Sequence, residues 1–142
     1  MKQAIMSVVF VMAFVSLLVL GLVSRVQAHG EECSNASIKG TYGFSCEGTA
    51  GGLPVAVVGA YTADGKGSSS GVETVSFNGT IIPGATFTDS YTVNADCTGS
   101  LMTTAPDGSV THHDLVIDDN KKEIRVIVTE PGRVIVCNFR KQ

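Results

Sequence analysis

A chain of 142 residues with 10 Lys+Arg against 13 Asp+Glu carries a formal net charge of −3, with Lys121-Lys122 and Arg140-Lys141 as its only basic clusters. Binding a nucleic acid by counterion release needs several clustered cations, so nucleic acid is excluded as a partner. With 44% hydrophobic residues and no tryptophan, the length suits one domain with a core of its own.

The chain opens Met1-Lys2 and then runs from Gln3 to Ser24 without a charge, broken only by Gln3, Ser7, Ser16 and Ser24. Val26-Gln27-Ala28 follows, with short side chains where a signal peptidase reads. This order predicts a signal peptide over 1–28, cut between Ala28 and His29, and hence a secreted or periplasmic protein. A retained anchor is the alternative, since about 20 apolar residues span a bilayer. Arg25 alone is a weak stop-transfer signal, and Gly30-Glu31-Glu32 before Cys33 does not suit a lipobox. Once cut, the chain would not stay inserted in a membrane. Removing Lys2 and Arg25 leaves 8 cations against 13 anions, net −5, over 29–142.

Cys33, Cys46, Cys97 and Cys137 all follow the cut. Four cysteines in an exported domain predict two disulfides, with three possible connectivities. No Cys-x-x-Cys pair or close Cys/His spacing points to a metal, and nothing in the sequence calls for a cofactor.

After an N-terminal segment over 29–38, the domain at 39–142 shows no helical apolar period. Segments rich in Val, Ile, Thr, Tyr and Phe alternate with turn residues instead. Eight strands are predicted, at 39–48, 53–63, 69–77, 86–94, 99–105, 110–118, 123–129 and 133–140. Asp64-Gly65, Asn78-Gly79 and Asp107-Gly108 supply turn residues that accept positive φ, Pro131-Gly132 fits a type II turn, and Asn120 sits in the polar turn at 118–122. Short connections favour antiparallel neighbours, and eight of them close into an up-and-down barrel without free edges. A β-sandwich is the alternative. In a closed barrel the first and last strands touch, so Cys46 would pair with Cys137, leaving Cys33 for Cys97.

Cys33-Ser-Asn-Ala-Ser-Ile-Lys-Gly-Thr-Tyr-Gly-Phe44 and Tyr91-Thr-Val-Asn-Ala-Asp-Cys-Thr-Gly-Ser100, with Asn78-Gly79-Thr80 before the latter, resemble an uncharacterised family of small secreted bacterial β-barrel proteins. That family is similar to allene oxide cyclase-like and lipocalin-like barrels. The resemblance implies a barrel more than an activity. The lipocalin Gly-x-Trp motif has no counterpart, and no catalytic residue of plant allene oxide cyclases is matched.

Alternation divides each strand between two faces. The face with the larger apolar side chains carries Tyr42, Phe44 and Cys46; Leu53, Val55, Val57 and Tyr61; Val75 and Phe77; Phe87, Tyr91 and Val93; Leu115 and Ile117; Ile124, Val126 and Val128; and Ile135, Cys137 and Phe139. Glu73, Asp89 and His113 fall on that same face. Tyr42, Tyr61, Glu73, Asp89, Tyr91 and His113 are therefore the candidate ligand-binding residues of an apolar lumen. The alternative is an interior filled by its own side chains, as eight-stranded barrels allow, with Glu73 and His113 hydrogen-bonded to each other or to a water. His112 and His113 point to opposite faces and cannot share a metal, whereas His112 and Asp114 share a face and can pair. No Gly-x-Ser-x-Gly elbow or P-loop is present. Asn35-Ala36-Ser37 and Asn78-Gly79-Thr80 match the glycosylation sequon, the second reading better as a turn. Three functions remain: a carrier of a small apolar ligand, a structural or surface-interaction domain, and a cyclase or isomerase using Glu73 or His113 as acid or base.

Overall fold

The computed structural model describes residues 32–118 and 120–142, so the expected signal segment and its cut before His29 lie outside the described residues. Eight strands follow one another as β1 (Gly40–Ala50), β2 (Leu53–Ala63), β3 (Ser68–Phe77), β4 (Thr80–Val93), β5 (Thr98–Thr104), β6 (Val110–Asp118), β7 (Glu123–Val128) and β8 (Arg133–Lys141). Each pairs antiparallel with the next, and β8 returns to β1, closing the barrel. Closure rules out the sandwich. The short turns work as their chemistry dictates. Asn78 and Gly79, at φ 48 and 84, make the two-residue link between β3 and β4, where both positions must be left-handed.

Strand β4 departs from expectation by starting at Thr80, not Thr86. Pro83-Gly84 reads as a break in the sequence. In the structure the pair forms a bulge, because Glu73 faces Ala85 and Val75 faces Ile82, leaving two residues opposite Thr74. Gly84 takes φ 65 there, and a bulge spares Pro83 the ladder hydrogen bond it cannot donate. The extra residue shifts parity, so Ile82 shares the inward face of Val75 while Ile81 turns outward.

The seam is covalent as well as hydrogen-bonded. Strands β1 and β8 run in register from Tyr42↔Lys141 to Ala50↔Arg133, with Cys46 directly opposite Cys137. Those two cysteines are bridged, their Cα atoms 4.0 Å apart. The second bridge joins Cys33 to Cys97. Both pairings are those expected from closure, and two disulfides point to an oxidising, extracellular or periplasmic environment. No described helix is long and apolar enough to cross a membrane.

The segment before β1 does more than lead into the barrel. Cys33 N–H donates to the Ala95 carbonyl at 3.1 Å, and a short 3₁₀ turn, Asn35–Ile38, follows. Its last residue, Ile38, is 2% exposed and packs into the core with Tyr42, Tyr61, Tyr91, Leu115 and Ile124. Burying that side chain contributes roughly 2–3 kcal/mol and stoppers one end of the barrel. The side chain of Asn35 fixes the stopper: Oδ1 accepts from Val93 N–H at 2.8 Å, and Nδ2 donates to the Lys66 carbonyl at 3.3 Å. The Asn35 sequon is thus structurally engaged.

Above the stopper, aromatic rings fill the waist. Phe44 stacks on Phe139 with centroids 4.8 Å apart and meets Phe87 edge-on at 5.9 Å. Tyr61 stands edge-on to Phe139 at 5.1 Å and stacks on Tyr42 at 5.2 Å. Two inward-facing glycines make the room. A Cβ on Gly59 would lie 2.7 Å from the Phe44 ring, and one on Gly71 would lie 2.5 Å from that of Phe87. Rings of this size in an eight-stranded barrel need bare backbone opposite them.

Candidate functional site

Beyond the aromatic waist the interior is not filled. A cavity of about 180 Å³ opens at the end away from Ile38, walled by Val55, Val57, Leu101, Val126, Ile135 and the Phe44, Phe87 and Phe139 rings. Glu73, Asp89, Thr103, Thr111, His113 and Arg133 also line it. A wider, shallow depression of about 560 Å³ lies on the outer wall around Thr62, Ser70, Thr88 and Thr104. It lies on the outside of the barrel, where the Thr41 and Thr62 hydroxyls bond each other at 3.2 Å, so the lumen is the better candidate.

Asp89 stands at the floor, since it also borders the small void of about 10 Å³ among Ile38, Tyr91 and Leu115. Cross-strand register sets its neighbours: Ser69 on β3 and Thr103 on β5 lie directly opposite. The Ser69 hydroxyl donates to Oδ2 at 2.7 Å, while Oδ1 is buried with no hydrogen bond. Burial pushes the Asp89 carboxyl above its usual range, opposed by Ser69, by Thr103 and by the nearby His113.

Glu73 sits nearer the mouth, opposite Ala85 just below the bulge. Burial and then the charge of Asp89 raise its pKa. His113 is driven the other way, mainly by burial, although the Leu101 carbonyl, Glu130 and Asp89 partly restore it. Its Nδ1 lies 3.4 Å from that carbonyl. A carbonyl only accepts, so Nδ1 holds the proton and Nε2 is left as an acceptor. Glu73 and His113 do not hydrogen-bond each other. At the rim Arg133 donates to the Thr111 hydroxyl at 3.0 Å.

Of the six candidate residues, the fold brings Glu73, Asp89 and His113 together around the lumen. The three tyrosines go elsewhere, into the packed waist and closed end. Tyr42 is fully buried, its hydroxyl without a partner. Burial first, then Tyr91, raises its pKa. Burial likewise drives the Tyr61 hydroxyl upward, with Tyr42, Asp89 and Tyr91 adding to the shift. Tyr91 uses its hydroxyl on the β2–β3 turn, accepting from Gly65 N–H at 2.9 Å and donating to Asp64 Oδ1 at 3.3 Å. Its pKa is raised chiefly by burial.

Leu53 and Phe77 have inward parity but stand at the rim, 41% and 38% exposed. They border the mouth and do not line the core, because the β1–β2 and β3–β4 hairpins outrun the shorter strands of the opposite wall. His112 does not pair with Asp114. Its Nδ1 lies 3.0 Å from Glu130 Oε1, on the outer face. Among the described residues no group of three His, Cys, Asp or Glu side chains is placed to hold a metal. Sequence reading missed Thr103, Thr111 and Arg133. Parity with Leu101, His113 and Ile135 on their own strands was the signal that marks them.

No protein-family model matches the chain, and no curated protein matches it. Among solved structures the chain is similar to a de novo designed fluorescence-activating β-barrel, with a TM-score of 0.55 and 14% identity over 73% of this chain and 93% of that one. At that identity the likeness bears on the small eight-stranded barrel fold alone.

Proposed function

We propose that this chain is an exported carrier that holds a small, mainly apolar molecule in its lumen. The signal-like segment at 1–28 and the two disulfides support export. The observation that carries the binding reading is the unfilled upper half of the barrel. A core of this size closes such gaps unless something occupies them, because each void forfeits packing contacts. Here the gap is about 180 Å³, open at one end and largely apolar. Its volume suits a molecule of one aromatic ring and a short tail. Fluorescence activation belongs to the designed barrel; for this chain the argument rests on its own lining.

Native mass spectrometry of the chain purified from its own host tests the reading directly, alongside titration with a solvatochromic dye. Retained small-molecule mass, and dye binding abolished by Val57→Phe or Leu101→Phe, is the expected result. A dye that binds equally well to the filled variants refutes a lumenal site. The family resemblance to cyclase-like barrels supports a second reading, proton transfer on the bound molecule. Burial raises Glu73 and lowers His113 within one cavity, favouring the uncharged form of each. Unchanged turnover of a host metabolite in Glu73→Gln and His113→Ala would remove it.

A further inference from the structure

The polar lining of the lumen is one-sided, and this deepens the carrier reading on which it rests. Asp89 Oδ1 is buried without a partner, in a side chain only 8% exposed. Glu73 lines the same space and, among the described residues, makes no hydrogen bond or ion pair. His113, its Nδ1 proton directed at the Leu101 carbonyl, keeps Nε2 as an acceptor. The Ser69 hydroxyl is already committed to Asp89 Oδ2. The lumen therefore sets two carboxyls against the neutral hydroxyls of Thr103 and Thr111, and the one Lys or Arg among its lining residues, Arg133, stands at the rim. We propose that the ligand is a small primary amine, its ammonium drawn to the carboxyls of Asp89 at the floor and Glu73 nearer the mouth, and its apolar body against Val57, Leu101 and Ile135.

An ammonium brings three donors and a positive charge, whereas a hydroxyl brings one donor and no charge. Two carboxyls along one largely apolar lumen ask for the former. Burial holds both carboxyls above their usual range, and the ammonium supplies the counter-charge they lack. Arg133 is the competing cation. It lies at the exposed rim and is engaged with Thr111, so a ligand carboxylate would have to stay at the mouth.

Three probes with similar bodies separate these outcomes: 2-phenylethylamine, ethylbenzene and 3-phenylpropionate. Each is titrated by NMR against the full chain with its disulfides formed. The expected result is 2-phenylethylamine binding roughly tenfold or more tighter than ethylbenzene. That ratio collapses in Asp89→Asn and falls in Glu73→Gln, while Asp114→Asn on the outer wall preserves it. Ethylbenzene binding as tightly as the amine, or 3-phenylpropionate binding tighter, overturns the amine and leaves the carrier reading standing. Binding of none of the three overturns both. Because the Asn side chain keeps an acceptor for Ser69, loss of fold in Asp89→Asn is not expected. Should it occur, Glu73→Gln, whose carboxyl has no structural bond to lose, decides the matter alone.

Discussion

Replacing Cys46 and Cys137 together by alanine should cost the barrel about 4.6 kcal/mol, because the bridge closes a loop of sequence separation 91. The figure follows from the loop-closure entropy that the cross-link removes from the unfolded chain. For a domain of this size it corresponds to a fall in Tm of about 15–20 °C. Urea unfolding followed by far-UV circular dichroism, with intact and variant proteins in parallel, gives the free energy directly. The slope against urea should rise, because an unfolded chain without the bridge exposes more surface. The Cys33–Cys97 bridge spans 64 residues, and the same entropy gives about 4.3 kcal/mol. Its removal should nonetheless register differently. Cys33 and Ile38 lie outside the strand ladder, so the stopper can open locally while β1 and β8 remain paired. Hydrogen exchange at the Cys33 and Val93 amides should then accelerate well before global unfolding. A loss under about 1 kcal/mol for the Cys46/Cys137 pair, with an unchanged urea slope, would refute the unfolded-state argument.

Other perturbations probe the interior. Gly71→Ala places a methyl group 2.5 Å from Phe87 and 2.6 Å from the Ala60 carbonyl; a loss of about 1–3 kcal/mol is expected in thermal melts, together with weaker dye binding as the ring is pushed into the lumen. Asn35→Ala strands the Val93 N–H, which should cost about 1–2 kcal/mol and show as faster exchange of that amide. Asp89, with its folded pKa raised, contributes stability that is complete below the ordinary carboxylate range of about 4 and lost as pH rises through the folded value. Wild type should therefore lose stability relative to Asp89→Asn as pH climbs from acid toward neutral; a difference in urea midpoint that does not change with pH would contradict the assigned burial.

Most of the architecture was legible because it is local. Asn-Gly and Pro-Gly turns and two-residue alternation fix seven hairpins, and placing Cys46 and Cys137 on the first and last strands tells which ends meet. The bulge was not legible: Pro83-Gly84 has the composition of a turn, and only the partner strand reveals that two residues face Thr74. The site divided along a similar line. Parity set Glu73, Asp89 and His113 on the inner face, but parity cannot say how far along the axis a side chain lies. That height depends on the barrel's closed end, and the end is set by Ile38, in a segment with no strand pattern. The tyrosines share the inner parity and sit on the stoppered side of the waist.

The outer wall exposes Val58, Ile81, Ile127, Val134 and Val136, a hydrophobic skin that in an open sheet would flank unpaired backbone. Here the β1–β8 ladder leaves no strand without two partners. Should the seam part, β1 and β8 would each present a row of free amides and carbonyls, with β8 offering the run Val134-Ile135-Val136 beside it. Such an edge is a template for adding further chains. The covalent lock at Cys46–Cys137 thus guards solubility as well as stability, and reducing conditions should produce aggregates before they produce soluble unfolded chain.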